Sequence, residues 1–265
     1  MDQVTPNFAE TADPTEQPDF VTALARGLAV IRAFGAEVPR MTLAEIARRT
    51  GFARATVRRS LITLEALGYV KNDGRNFALT PRVLALGHSY LSSTPLPRAA
   101  QPFLERLSEI IQDACSVSIL DDDEVLVLAR VAPKRLVSLA NPVGSRLPAY
   151  CTGSGRMLLA GLSDAALDAY LARVVPCRFT ARTLVDPSEI RRVVLEARTL
   201  GYGLCDGELE NSIRSIGVPL TNVYDRKVAV LGAVSYFDRV APAEMIERFL
   251  PHMRRAAEDL RSILI

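Results

Sequence analysis

The stretch TGFARATVRRSLITLEALGYV, residues 50–70, decides how this chain is read. Val57, Leu61 and Leu64 recur at the spacing of one buried helix face. Arg54, Arg58 and Arg59 sit on the same short helix, and no acid appears before Glu65. With the apolar face turned inward, these arginines turn outward. Ala53, Ala55 and Thr56 are small, so the start of the helix can approach another surface closely.

Working outward, Thr42 with Glu45 three residues later is a capping box, opening a helix over Leu43–Arg49 that Thr50-Gly51 stops. The arginine-bearing helix runs from about Ala53 to Leu67 and closes at Gly68. YVKNDGRNFALT then reads as two short strands around an Asn72-Asp73-Gly74 turn. Upstream, Leu24, Leu28 and Ile31 share one helix face. Helix, helix, short turn, helix and hairpin is the order of a winged helix-turn-helix.

Charge is distributed in the same way. Residues 1–19 carry five acids and no base and read as a disordered arm; residues 20–82 hold 11 Lys+Arg against 4 Asp+Glu, giving +7; residues 83–265 hold 21 of each. A basic module joined to a neutral one suits a polyanion partner, and the alternative is a solvated arginine-rich surface. In a helix-turn-helix the third helix enters the major groove, where arginine meets guanine and a Thr or Ala methyl meets thymine. Phosphates then supply the missing counter-charge. The expected DNA contacts are Arg54, Ala55, Thr56, Arg58 and Arg59, with Arg75 on the hairpin.

The 265 residues suffice for one large domain or two small ones, and 49% hydrophobic with 23% charged residues is ordinary for a globular protein. No apolar run is long enough to span a membrane, and no secretory signal opens the chain, which points to the cytoplasm. Cys115, Cys151, Cys177 and Cys205 lack zinc-site spacing and read as reduced packing residues.

Pro81 starts a helical stretch through Tyr90, and SSTPLP at 92–97 punctuates it as a linker. Beyond it, Phe103, Leu104, Leu107 and Ile110 mark a helix face. Two strands flank an acidic turn at Asp121–Glu124, and RLVSLANPVG (135–144) reads as a third strand. Helices follow near 154–161, 163–172 and 187–200, strands near 202–206, 213–220 and 228–237, and a last amphipathic helix runs from Pro242 to about Ile263. Helices flanking a mostly antiparallel sheet make this part α+β. The organisation expected is an arm at 1–19, a winged helix-turn-helix at 20–80, a helical linker at 81–97 and a second domain at 98–265.

LARGLAVIRAFG, MTLAEIARRTGFARATVRRSLITLEALGYV and FALTPRVLALG resemble the DNA-binding half of IclR-type bacterial transcription regulators. The resemblance continues through RLPAYCTGSGRMLLAGL, RTLVDPSEIRRVVLEARTLGYGLCDGELENSIRSIGVPL and the last helix, covering roughly residues 20–263. RLPAYCT-x-x-GR and ELE…IRSI-x-VPL are most similar to the branch regulating aromatic-acid catabolism through the β-ketoadipate pathway. The resemblance implies a GAF-like effector domain, a homodimer or tetramer, and a small aromatic or keto acid as effector. It further implies a double-stranded operator, regulation leaning to activation, and RNA polymerase as a further partner.

The segment AYCTGSGRMLLA passes from small residues into a helix, where free N–H groups favour an anion. Thr152, Gly153 and Ser154 are placed in the effector pocket by the resemblance; otherwise the glycines permit close helix–sheet packing. Asp206, Ile213 and Ser215 match the second wall, although many relatives carry Cys where Ser215 stands. Arg135 and Arg146 are candidate carboxylate partners or surface residues, and Glu208 and Glu210 read as a solvated edge. Gly153-Ser154-Gly155 lacks the strand context of a dinucleotide fingerprint or nucleophile elbow. Only His88 and His252 are present, so neither a catalytic triad nor a histidine-rich metal site is expected. The reading is a non-enzymatic regulator without cofactor; the rival is an enzyme acting on a small organic acid with an accessory DNA-binding module.

Overall fold

The computed structural model describes residues 19–35, 38–133, 141–224 and 227–264. Residues 1–18 of the acidic arm, Arg135, and most of the strand expected over 135–144 lie outside that set. The chain divides into two units between Ser92 and Ser93.

The first unit contains α1 (Thr22–Arg32), α2 (Leu43–Thr50), α3 (Arg54–Ala66), β1 (Val70–Asn72), β2 (Phe77–Leu79) and α4 (Leu84–Ser93). The capping box is formed: the Glu45 N–H donates to Thr42 Oγ1 at 3.3 Å, and the Thr42 N–H donates to Glu45 Oε2 at 2.8 Å. Gly51, at φ +72°, ends α2 in the left-handed region and lets α3 turn away. Val57, Leu61 and Leu64 meet Val30, Met41, Ile46 and Val70 in the core. Asp73 Oδ1 accepts the Arg75 and Asn76 N–H groups, closing the hairpin turn, and Met41 exchanges two backbone hydrogen bonds with Phe77, widening the wing.

Leu24, Leu28 and Ile31 share one helix face, but it is not a core face. Leu24 and Leu28 are not buried within the unit but exposed by 63% and 47%. With Ile31, Leu64, Leu67 and Leu86 they line an apolar groove of about 530 Å³. The helix α4 buries no residue, leaving Leu84, Leu86 and Tyr90 in solvent.

The second unit opens with α5 (Pro95–Ile111), one residue after α4 ends. The SSTPLP stretch, within the helical linker expected over 81–97, is a junction between two helices. Proline at a helix start forfeits no intrahelical bond, since that N–H has no partner. Leu96, Ala100, Leu104, Leu107 and Ile111 face inward, while Ile110, expected among them, is exposed.

Strands β3 (Ala114–Asp121), β4 (Glu124–Val131), β5 (Arg146–Pro148), β6 (Gly203–Asp206), β7 (Ile213–Thr221) and β8 (Lys227–Tyr236) form an antiparallel sheet ordered β5-β4-β3-β8-β7-β6. The third strand thus lies at Arg146–Pro148, and residues 141–144 form no strand. One sheet face packs on α5 and α10 (Leu250–Arg261) through Leu104, Val117, Ile216, Leu231, Phe249 and Met253. The other is covered by α6 (Gly153–Leu159), α7 (Asp164–Arg173) and α8 (Pro187–Leu200) around Met157, Leu167, Tyr170 and Ile190. The last helical stretch is α9 (Pro242–Glu244), a π turn over Met245–Phe249, and then α10. This is the α+β, GAF-like arrangement expected.

Candidate functional site

The two edges of α3 differ. Arg54, Ala55 and Arg58 are exposed and lie away from the apolar groove, whereas Thr56 and Arg59 line it with Ser60 and Thr63. The six residues expected to meet DNA are therefore divided, with Arg75 exposed on the hairpin turn. No side chain caps α3 and its first turn carries no acid, so its first N–H groups and the arginines present one positive end.

In the second unit a cavity of about 110 Å³ lies between the sheet and the segment leading into α6. Its walls include Val125, Val127, Leu147, Ile213 and Val234. Of the residues expected at the effector pocket, Thr152, Ser154, Ile213 and Ser215 line this cavity. Gly153 serves differently: its N–H donates to Ser215 Oγ at 2.9 Å, and a Cβ on it would stand 2.5 Å from the Ser215 carbonyl oxygen. The Gly155 N–H donates to Thr152 Oγ1 at 3.1 Å. Two of the donors expected to greet an anion, the Gly153 and Gly155 N–H groups, are thus engaged within the protein, and both glycines allow close helix–sheet packing.

Asp206 is not in the pocket lining. Its carboxylate is held between Arg182, at 2.9 Å, and Arg214, and both arginines stack on the Phe237 ring. Glu208 lines the pocket instead and is no solvated edge, being 7% exposed. Arg156 Nη2 meets Glu208 Oε1 and Oε2 at 2.6 and 2.7 Å, and its Nη1 donates to the Leu204 carbonyl at 2.6 Å. Arg146 pairs with Asp121 and Glu124, and Asp123 holds Arg173, so the acidic turn at 121–124 is an ion-paired surface.

A different arginine reaches the cavity. Along β3 and β4, Val117 faces Ala129 while Ser118 faces Val127, which leaves Leu128 as an extra residue in β4. A bulge shifts the alternation of side chains by one. Val125 and Val127 line the pocket, Leu128 and Ala129 turn to the opposite core, and Arg130 returns to the pocket face. Burial pushes the Arg130 guanidinium pKa down, because the cation has lost part of its water. Burial likewise pushes the Cys151 thiol up to about 12, and Cys205 is raised for the same reason.

Both units match known families in chain order. Residues 23–74 match the IclR helix-turn-helix domain, and residues 88–262 match the bacterial transcriptional regulator IclR C-terminal domain. The chain belongs to the IclR family. It is 45% identical over 247 residues to the Pca regulon regulatory protein of Pseudomonas putida, covering 93% of this chain and 85% of that one. It is 35% identical over 251 residues to the p-hydroxybenzoate hydroxylase transcriptional activator of Acinetobacter baylyi, covering 93% of each. Among solved structures, an IclR homolog from Microbacterium hydrocarbonoxydans complexed with 4-hydroxybenzoate superposes with a TM-score of 0.75 at 26% identity, covering 90% of this chain and 97% of that one.

As an IclR-family member the chain is a DNA-binding transcriptional regulator with a small-molecule effector, and the enzyme reading has no support. Among the described residues no group of three or more His, Cys, Asp or Glu is placed to hold a metal, and no helix is long and apolar enough to cross a membrane. Sequence reasoning missed Arg130 and Glu208 as pocket residues. Nothing local marked either residue: EVLVLARV is apolar from Val125 to Ala129, and the bulge that turns Arg130 is set by strand pairing.

Proposed function

We propose that this IclR-family regulator controls genes of aromatic-acid catabolism and responds to a small hydroxylated aromatic carboxylate. The cavity between α6 and the sheet carries this reading. Its 110 Å³ is of the order of an engineered cavity of ~150 Å³ that holds one benzene ring, and well below the ~300–1,000 Å³ of larger ligand sites. Apolar walls at Val125, Val127 and Ile213 suit a ring, and Ser154 and Ser215 offer hydroxyls to its substituents. An aliphatic keto acid gains less from those walls, so 4-hydroxybenzoate and protocatechuate rank ahead of β-ketoadipate.

The names of the relatives support the same reading, one being an activator of p-hydroxybenzoate hydroxylase and one structure holding 4-hydroxybenzoate. The mode of action proposed with it is activation, with RNA polymerase as a further partner, in the cytoplasm. Arg54, Ala55 and Arg58 read base edges, Thr56 and Arg59 flank them, and Arg75 meets the backbone from the wing. A single recognition helix reads few base pairs, so a homodimer, or a tetramer built from dimers, binds repeated half-sites. The exposed apolar residues of α1 and α4 supply a surface for that assembly.

Calorimetric titration of 4-hydroxybenzoate, protocatechuate, β-ketoadipate, benzoate and pyruvate tests the effector. A hydroxylated aromatic acid binds best, and Ser215→Leu abolishes binding while leaving DNA binding intact. No heat from any of the five, or chemical conversion of one of them, overturns the proposal. Deleting the gene settles the direction of control: loss of induction by the substrate supports activation, constitutive expression repression.

A further inference from the structure

We infer that Arg130, Ser116 and Ser154 form the carboxylate-binding end of the pocket, so that the ligand lies across the sheet with its anion towards β4 and its hydroxylated end towards Ser215 and Glu208. This assignment rests on the effector reading above and gives the ligand a direction.

Three observations carry it. First, the bulge at Leu128 turns Arg130 onto the pocket face, opposite Ser116 in the neighbouring strand. Ser116 in turn faces Gly232 of β8, so the three form one row across the sheet. Second, Gly232 has no side chain, and Ser154 Oγ takes the space a Cβ would need. A Cβ there would stand 2.3 Å from Ser154 Oγ and 3.3 Å from Ser116 Oγ, so the two hydroxyls converge over the glycine beside the arginine strand. A guanidinium with two hydroxyl donors matches the geometry and charge of a carboxylate.

Third, the pocket is electrically asymmetric. Arg130 is the one basic side chain among the described lining residues, whereas Glu208 and Glu210 line the end formed by the β6–β7 connection. Arg156 offsets the Glu208 charge, so the exposed Glu210 is the acid that repels a carboxylate from that end, and either side chain can accept a phenolic hydroxyl. Strands β4 and β7 are three strand intervals apart in the sheet, about 14 Å at ordinary spacing, which leaves room for one ring between the side chains of the two ends. The half-buried Arg130 cation has lost part of its water and gains from an anion.

Calorimetry on the full chain with 4-hydroxybenzoate and its uncharged analogue 4-hydroxybenzamide tests this. The wild type binds the acid at least ten-fold tighter than the amide. Arg130→Gln weakens the acid ten-fold or more, leaves the amide unchanged, and brings the ratio near one; Arg130→Lys, which keeps the charge, keeps most of the preference. Ser116→Ala shifts the ratio in the same direction by a smaller factor and serves if Arg130→Gln does not fold, as judged by its melting curve. An acid-to-amide ratio untouched by these substitutions overturns the assignment while the effector reading stands. A wild type that binds neither compound overturns the assignment, and one that gives no heat with any of the five acids overturns the effector reading with it.

Discussion

Arg156 and Glu208 form an ion pair whose side chains are only 7% and 8% exposed, with Arg156 Nη2 within 2.7 Å of both carboxylate oxygens. The pair joins α6 to the β6–β7 connection. The Glu208 backbone carbonyl adds a second anchor, accepting the Thr183 hydroxyl at 2.6 Å. Removing one buried partner strands the other charge, so Glu208→Ala is expected to destabilise the second unit by about 3–5 kcal/mol. The double variant Arg156→Met/Glu208→Leu recovers much of that loss. Urea unfolding followed by circular dichroism measures both; a single variant within 1 kcal/mol of wild type contradicts a buried, paired bridge.

Arg54 and Arg58 share the exposed edge of α3 that is turned away from the apolar groove. If each reads a base, alanine at either weakens operator binding by about 1–3 kcal/mol and relaxes sequence preference. Arg75→Ala instead weakens specific and scrambled duplexes alike and lowers the salt dependence by about one phosphate contact. Titrations of both duplexes at several salt concentrations separate the cases. Equal losses for Arg54→Ala on the two duplexes mark it as a phosphate contact.

The parts of this molecule legible in the sequence are those set by neighbours along the chain. The Thr42–Glu45 box, the Gly51 stop and the Asn72-Asp73-Gly74 turn each depend on residues within three positions, and each is formed. The inward face of α3 followed from periodicity for the same reason. Residues whose environment is set by distant strands were harder to place. Arg130 faces the pocket only because β4 carries one more residue than β3 at the bulge, and that is a fact of pairing. Asp206 and Glu208 are two residues apart, yet one is taken by Arg182 and Arg214 and the other by Arg156. Choosing between them requires knowing which arginines the fold brings near. Leu24 and Leu28 have the spacing of a core face and are not in the core of the unit, because periodicity reports an apolar stripe and not what covers it.

That uncovered stripe makes a prediction of its own. Leu28→Glu or Leu86→Glu places a charge in the apolar groove formed by α1, α3 and α4. Both residues are close to half exposed, so folding of the single chain is little affected, with changes of about 0.5 kcal/mol. If α1 and α4 form the dimer surface, light scattering shows the wild type as a dimer or larger and the variants shifted towards monomer, with weaker operator binding. Variants that remain assembled assign this surface elsewhere.

The cysteines provide a chemical readout of the pocket. All four are free; Cys177 is exposed, whereas Cys115, Cys151 and Cys205 are buried. Thiolate is the reactive form, and burial raises all three buried thiols, Cys151 to about 12. At pH 8 the thiolate fraction of Cys151 is then on the order of one in ten thousand, against roughly a quarter for an ordinary thiol. Ellman's reagent is therefore expected to modify one thiol of the native protein rapidly, removed by Cys177→Ser, and all four in guanidinium. Cys151 and Cys205 line the cavity, so saturating hydroxybenzoate should slow their residual labelling and leave Cys177 unaffected. Fast labelling of two or more thiols in the folded protein contradicts the burial, and slow labelling that ignores the ligand contradicts its place beside these sulfurs.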